Sequence, residues 1–182
     1  MPFEADAAVG DGWPLQIYVD GCCEPRSATG GWAFVVYRDG VEIASDSGRI
    51  LQASNTVTEL LAVLGALRWV NAQACGVRAF LWSDSAYVVN GCNQWRHIWK
   101  NRGWRKKGAN PNGRARTIAH PELWQAIDAA LLRHGQVNVA WCKGHVGIPG
   151  NERADALAEL ARSMKSQDHA ARGAAAAERS SR

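Results

Sequence analysis

Four carboxylates and one imidazole stand where their side chains could meet a ligand. Asp20 closes the alternating stretch LQIYVD (15–20), and Asp84 closes RAFLWSD (78–84). Glu59 falls in the first turn of a helical pattern that starts near Thr56, and Asp155 in the first turn of another near the end of the chain. His145 lies ten residues before Asp155 in the glycine-rich stretch GHVGIPGNERAD (144–155). If the strands carrying Asp20 and Asp84 are parallel neighbours, both aspartates lie at the carboxyl ends of one sheet, where open α/β sheets place their ligands. Carboxylates gathered there repel one another unless a cation stands between them. An all-oxygen donor set of this kind suits Mg2+ or Mn2+, with water or phosphate completing the coordination. Taken singly, each residue has a plainer use: a strand-end aspartate in a turn, a first-turn acid on the helix dipole, a loop histidine in packing. The chemistry is argued from the combination.

The elements that must position these groups follow from apolar periodicity. Leu15, Ile17 and Val19 alternate with Gln16, Tyr18 and Asp20, which is strand spacing. GWAFVVYRDGVEIASDSG reads as two strands joined at Asp39-Gly40, a dipeptide suited to a tight hairpin, so the first three strands form an antiparallel meander. Leu60, Val63, Leu64, Leu67 and Val70 then recur at helical spacing, with Gly76 as the stop. A fourth strand precedes a helix with the stripe Val88, Cys92, Trp95 and Trp99. A basic loop (101–120) leads to a helix carrying Leu123, Ile127, Ala130, Leu131 and His134 and closed by Gly135. VNVAWC is the fifth strand, and Asn151 is the expected N-cap of a last helix with Ala154, Leu157, Ala158 and Ala161 on one face. Strand, helix and strand in succession add in parallel. The fold class is α/β: a five-stranded mixed sheet with strands 1–3 antiparallel, strands 1, 4 and 5 parallel, and helices on both faces.

At 182 residues the chain is long enough for one domain with a substantial core, here placed at 14–162. Residues 163–182 have few core-forming side chains and are expected to be disordered or frayed, and residues 1–13 are expected to be disordered. The start lacks the basic and apolar regions of a signal peptide, and no apolar run is long enough for a membrane span, so a soluble, cytoplasmic protein is expected. Five cysteines, odd in number and without a C-x-x-C pair, fit free thiols in a reducing compartment better than disulfides or structural zinc. Between Ser85 and Pro121 there are eight basic residues and no acidic one. The whole chain carries only +4, so the remainder is net −4. Arg96, Lys100, Arg102, Arg105, Lys106, Lys107, Arg114 and Arg116, interleaved with Trp95, Trp99 and Trp104, fit an anionic polymer as partner.

The segments VDG, TELLAVLGAL, SDSAYV, NQWRHIWKNRGW, ELWQAIDAAL and KGHVGIPGNERADALA occur in this order. With them the chain closely resembles type 1 ribonuclease H, the bacterial ribonuclease HI group with a basic protrusion, over residues 15–162. The resemblance implies hydrolysis of the RNA strand of an RNA–DNA hybrid by a two-metal-ion mechanism, leaving 5′-phosphate and 3′-hydroxyl ends. It implies that Asp20, Glu59, Asp84 and Asp155 hold two Mg2+ ions, for which Mn2+ can substitute, and that His145 assists proton transfer or product departure. Substrate contacts are implied for Gly21, Cys23, Arg26, Asn55 and Thr56, and along the protrusion for Trp99, Lys100, Arg102, Trp104, Arg105, Lys106 and Lys107. Trp95 and Trp99 are four residues apart on a helix, so at least one should pack into the core, and Trp104 is the preferred substrate-facing ring.

The chain departs from the family pattern at three places. Arg26 stands where an asparagine is usual, Thr56 where a second asparagine follows Asn55, and Ala86 where a glutamine is common. These positions contact the hybrid in the family, so they bear on affinity and on the strictness of RNA recognition. Two other readings compete: a hybrid-binding module without catalysis, and another nuclease of the same superfamily such as a resolvase or a reverse-transcriptase-associated domain. The full set of carboxylates with His145 disfavours the first, and the basic protrusion disfavours the second. Nothing requires more than a monomer.

Overall fold

The computed structural model describes residues 15–106 and 116–164. The expected disordered N-terminus, nearly all of the expected C-terminal tail, and Lys107 and Arg114 lie outside them. The alternating first segment forms β1 (Leu15–Glu24), which pairs antiparallel with β2 (Thr29–Arg38), itself antiparallel to β3 (Val41–Ile50). Asp39 (φ 51°) and Gly40 (φ 78°) both take the left-handed conformation that a two-residue hairpin with the twist of its strands requires. Helix α1 (Asn55–Gln73) follows, then β4 (Ala79–Ser83). A helical run comes next: α2 (Ala86–Asn90), a π-helical turn (Gly91–Trp95) and α3 (Arg96–Lys100). A short ribbon of β5 (Arg105–Lys106) and β6 (Arg116–Thr117), not expected from the sequence, leads to α4 (Pro121–His134), β7 (Val137–Trp141) and α5 (Pro149–Ser163).

The main sheet has the order β3-β2-β1-β4-β7, with β1, β4 and β7 parallel. This is the mixed five-stranded sheet expected. Leu15, Ile17, Val19, Phe34 and Val36 face α1, whose Leu60, Val63, Leu64, Leu67 and Val70 are all buried against them. Each such side chain contributes roughly 1.5–3 kcal/mol on burial, enough to fix α1 across the sheet. On the opposite face α5 packs over β1 and β2. Its contact is close because a Cβ on Gly31 would run into the carbonyl of Ala158 and one on Gly150 into the Tyr18 ring. The small-residue face of α5 therefore reflects backbone approaching backbone.

Four sequence expectations need correction. Asp20 does not end its strand, because β1 continues four residues beyond it in register with β2. Glu59 and Asp155 are the fifth and seventh residues of helices beginning at Asn55 and Pro149, so neither lies in a first turn. Asn151 is not an N-cap: α5 starts earlier with Pro149, whose fixed φ suits a first helical position, and Asn151 is buried inside that turn. Helix α1 stops three residues before Gly76, and Gly76 (φ 77°) serves the turn into β4.

Candidate active site

The last β1–β4 pair is Tyr18 opposite Trp82, so two residues further on Asp20 and Asp84 stand level at the same end of the sheet. Gly21 brings the third carboxylate in. A Cβ there would overlap the backbone of Thr58 and Glu59, so the glycine lets α1 rest directly on β1. Glu59 is held by Ser85, whose hydroxyl donates to Glu59 Oε2 at 2.6 Å. The same hydroxyl accepts from the Val88 N–H (3.4 Å) and so caps α2. Ser85 was not among the residues expected at the site; a serine between a strand-end aspartate and a helix is the capping signal that points to it. Gly144 packs against the Asp84 carboxylate with no room for a Cβ.

Asp155 reaches the cluster from α5, on the face of the sheet that also carries Asp20. The Asp20 carboxyl is pushed up to about 7, first by burial and then by the charge of Asp84, with Asp155 adding both charge and a side-chain hydrogen bond. The Gly21 N–H, 2.8 Å from Asp20 Oδ1, opposes this. Glu59 is also raised, by burial foremost and less by Asp84, while the Ser85 hydrogen bond pulls it down. His145, in the left-handed conformation (φ 55°), projects from the loop between β7 and α5 with Nδ1 3.8 Å from Asp155 Oδ2. The structure thus brings all four carboxylates and the histidine to one end of the sheet, from four separate segments of chain.

Among the described residues, no three His, Cys, Asp or Glu side chains enclose an ion as they stand. The donor set nevertheless fits a hard divalent cation, since it is carboxylate oxygen throughout and the charges of Asp84 and Asp155 raise the Asp20 carboxyl. The RNase H family profile covers residues 14–163. The chain belongs to the RNase H family. It is 40% identical over 149 residues to Ribonuclease H of Bordetella pertussis, covering 82% of this chain and 89% of that protein. To Ribonuclease H of Cupriavidus metallidurans it is 40% identical over 144 residues, covering 79% and 92%. Among solved structures it is similar to LC9-RNase H1, a type 1 RNase H with the type 2 active-site motif (TM-score 0.67, 27% identity, 84% of this chain and 74% of that one). It shares its fold with the foamy viral protease-reverse transcriptase solved in complex with an RNA/DNA hybrid (TM-score 0.71, 19% identity, 83% and 20%). Family membership makes this chain a nuclease, an enzyme that hydrolyses phosphodiester bonds.

The residues expected to touch substrate in this RNase H fall into two groups. Beyond Asp20, β1 carries Gly21 and Cys23 into an exposed turn at Pro25–Ala28 that holds Arg26. Cys23 Sγ donates to the Ala53 carbonyl (3.2 Å) and the Ala53 N–H to the Ala28 carbonyl (2.8 Å), which joins the turn to the loop leading into Asn55 and Thr56. Cys23, Arg26, Asn55 and Thr56 therefore share one rim next to the carboxylates.

The second group is the basic arm. Trp95 and Trp99 are half-buried, in contact with each other and, with Tyr87, around the buried Trp124. Trp104 (φ 62°), preferred as a substrate-facing ring, is half-buried too and packs against the edge of the core. Lys100 Nζ lies 2.7 Å from Asp128 Oδ2, and Arg96 pairs with the other oxygen of that buried carboxylate. The pairing holds the Asp128 carboxyl below its usual range despite the opposing effect of burial, the largest influence on it. Two of the arm's cations thus anchor it to α4. Arg102, Arg105 and Lys106 are exposed.

Proposed function

We propose that this RNase H cleaves the RNA strand of RNA–DNA hybrids by a two-metal-ion hydrolysis that leaves 5′-phosphate and 3′-hydroxyl ends, acting as a cytoplasmic monomer. The observation that carries this reading is the Asp20–Asp84–Asp155 group at the carboxyl end of the sheet, with Asp20 raised to about 7 by burial and by its acidic neighbours. Such a group is incomplete without cations. Asp20, Glu59, Asp84 and Asp155 would hold two Mg2+, with Mn2+ as a substitute. When bound, the pair supplies an activated water and stabilises the leaving 3′-oxygen.

The protein's own residues supply position and access. Ser85 orients Glu59 by its 2.6 Å hydrogen bond, and Gly144 lets the loop lie against Asp84 without displacing it. His145, 74% exposed at the rim and within reach of Asp155, would move a proton or assist product departure. The rim of Cys23, Arg26, Asn55 and Thr56 would read the RNA backbone and its 2′-hydroxyls, with Arg26 taking a phosphate in place of the usual asparagine contact. Arg102, Arg105, Lys106 and Lys107 would grip the DNA strand. The relatives bear the name Ribonuclease H, and a protein of the same fold accommodates a hybrid.

The test is an end-labelled RNA strand offered alone, paired with DNA, and paired with RNA, in Mg2+ or Mn2+. Cutting of the hybrid alone, with 3′-hydroxyl products, is expected. Equal cutting of duplex RNA, or hybrid binding without any cutting, would overturn the proposal.

A further inference from the structure

Trp141 closes β7 beside the carboxylate cluster and has no part in the mechanism above. The residue is 52% exposed, so burial does not account for an indole at this place. The ring is nonetheless tethered, because its Nε1–H donates to the main-chain carbonyl of Asp84 at 3.0 Å. The parallel pairing of β4 with β7 ends at Ser83 opposite Trp141, and the Cys142 N–H donates to the Ser83 carbonyl at 3.0 Å. After Cys142 the chain leaves the sheet for the loop that holds Gly144 and His145. The carbonyl of Asp84 thus lies past the last rung of the ladder, and the side-chain indole N–H ties it to the end of β7. Asp84 itself sits in a bend between β4 and α2, beside the hydrogen bond from the Ser85 N–H to the Ser83 hydroxyl at 3.2 Å.

We propose that Trp141 is a positioning residue for Asp84: its indole ties the Asp84 carbonyl to the end of β7 beyond the last β4–β7 rung and fixes the peptide that aims this carboxylate at the scissile phosphate. The inference rests on the nuclease reading given above. A carboxylate that must meet metal and phosphate within a fraction of an ångström loses rate when its backbone can rock. Because the loop with His145 departs immediately after Trp141, the same hydrogen bond also sets where that loop begins.

Trp141→Phe removes the N–H and keeps an aromatic ring of similar packing. For cleavage of a hybrid in Mg2+ it should lower kcat about tenfold with KM unchanged, the size of a lost positioning hydrogen bond. Hydrogen–deuterium exchange of the free protein should quicken in the segment 83–86, while the melting temperature moves little. Trp141→Ala should reproduce the fall in kcat. Unchanged kcat and unchanged exchange in Trp141→Phe would overturn the proposal. So would a raised KM at constant kcat, which would make the ring a substrate contact. If the wild type failed to cleave the hybrid yet exchange quickened in the variant, the anchoring would stand and the nuclease reading would fall.

Discussion

Asp20 stands half-buried beside Asp84 and Asp155, with the Gly21 N–H opposing their effect on its carboxyl. Its folded carboxyl is raised from 3.8 to about 7. A raised acid favours the folded state when protonated, so its contribution is fully present below the unfolded value and is lost as pH rises through the folded one. In chelator, Asp20→Asn should therefore melt higher than the wild type above pH 7, by about 3–6 °C, with the gap closing as pH falls toward 4. Saturating Mg2+ should also shrink the gap, because the wild type alone gains a counter-charge. Thermal melts of both proteins across pH, with and without Mg2+, check this; a gap that ignores pH would count against the crowding of charge at Asp20. At this scale the carboxylates were legible from their places after strand patterns and within helix patterns, together with the motifs around them. Ser85 and Trp141 were less legible, since a serine and an exposed tryptophan are unremarkable types until the fold shows what their polar atoms reach.

At the scale of elements, the site depends on glycines that let helices approach the sheet. Gly21 seats α1 and Gly31 seats α5, and neither has space for a Cβ. Gly31→Ala should force α5 away from β2, at a cost of about 1–3 kcal/mol, and draw Asp155 off the cluster so that kcat falls. A variant with wild-type stability and rate would show that α5 adapts without moving Asp155. The elements themselves were readable because the period changes from two to 3.6 at Thr56 and the Asp39-Gly40 turn is unambiguous. Their ends were less so. The extension of β1 past Asp20 is set by pairing with β2 through Glu24 opposite Thr29, a long-range contact that local pattern does not encode. The π-helical turn at Gly91–Trp95 is similar, since it places Gly91 under the Trp124 ring, where a Cβ would collide.

Over the whole molecule, charge is divided between an acidic end of the sheet and a basic arm, and the arm is partly committed to the protein itself. Arg96 and Lys100 pair with Asp128, so on the proposed reading the grip on nucleic acid would draw chiefly on cations further along. Replacing Lys106 and Lys107 together by alanine should weaken hybrid binding and flatten the dependence of log Kd on log salt by about 1–2. Binding measured from low to physiological salt checks this, and an unaltered slope would remove those lysines from the interface. The most direct measurement for the molecule as a whole is the rate of RNA-strand cleavage in a hybrid as Mg2+ is raised from chelator, for wild type and Asp20→Asn. The expected result is no cleavage in chelator, a rate that rises with Mg2+ in the wild type, and a loss of about a thousandfold or more in the variant. Cleavage that persists in chelator, or an Asp20→Asn rate equal to wild type, would contradict a cation-dependent site built on these four carboxylates.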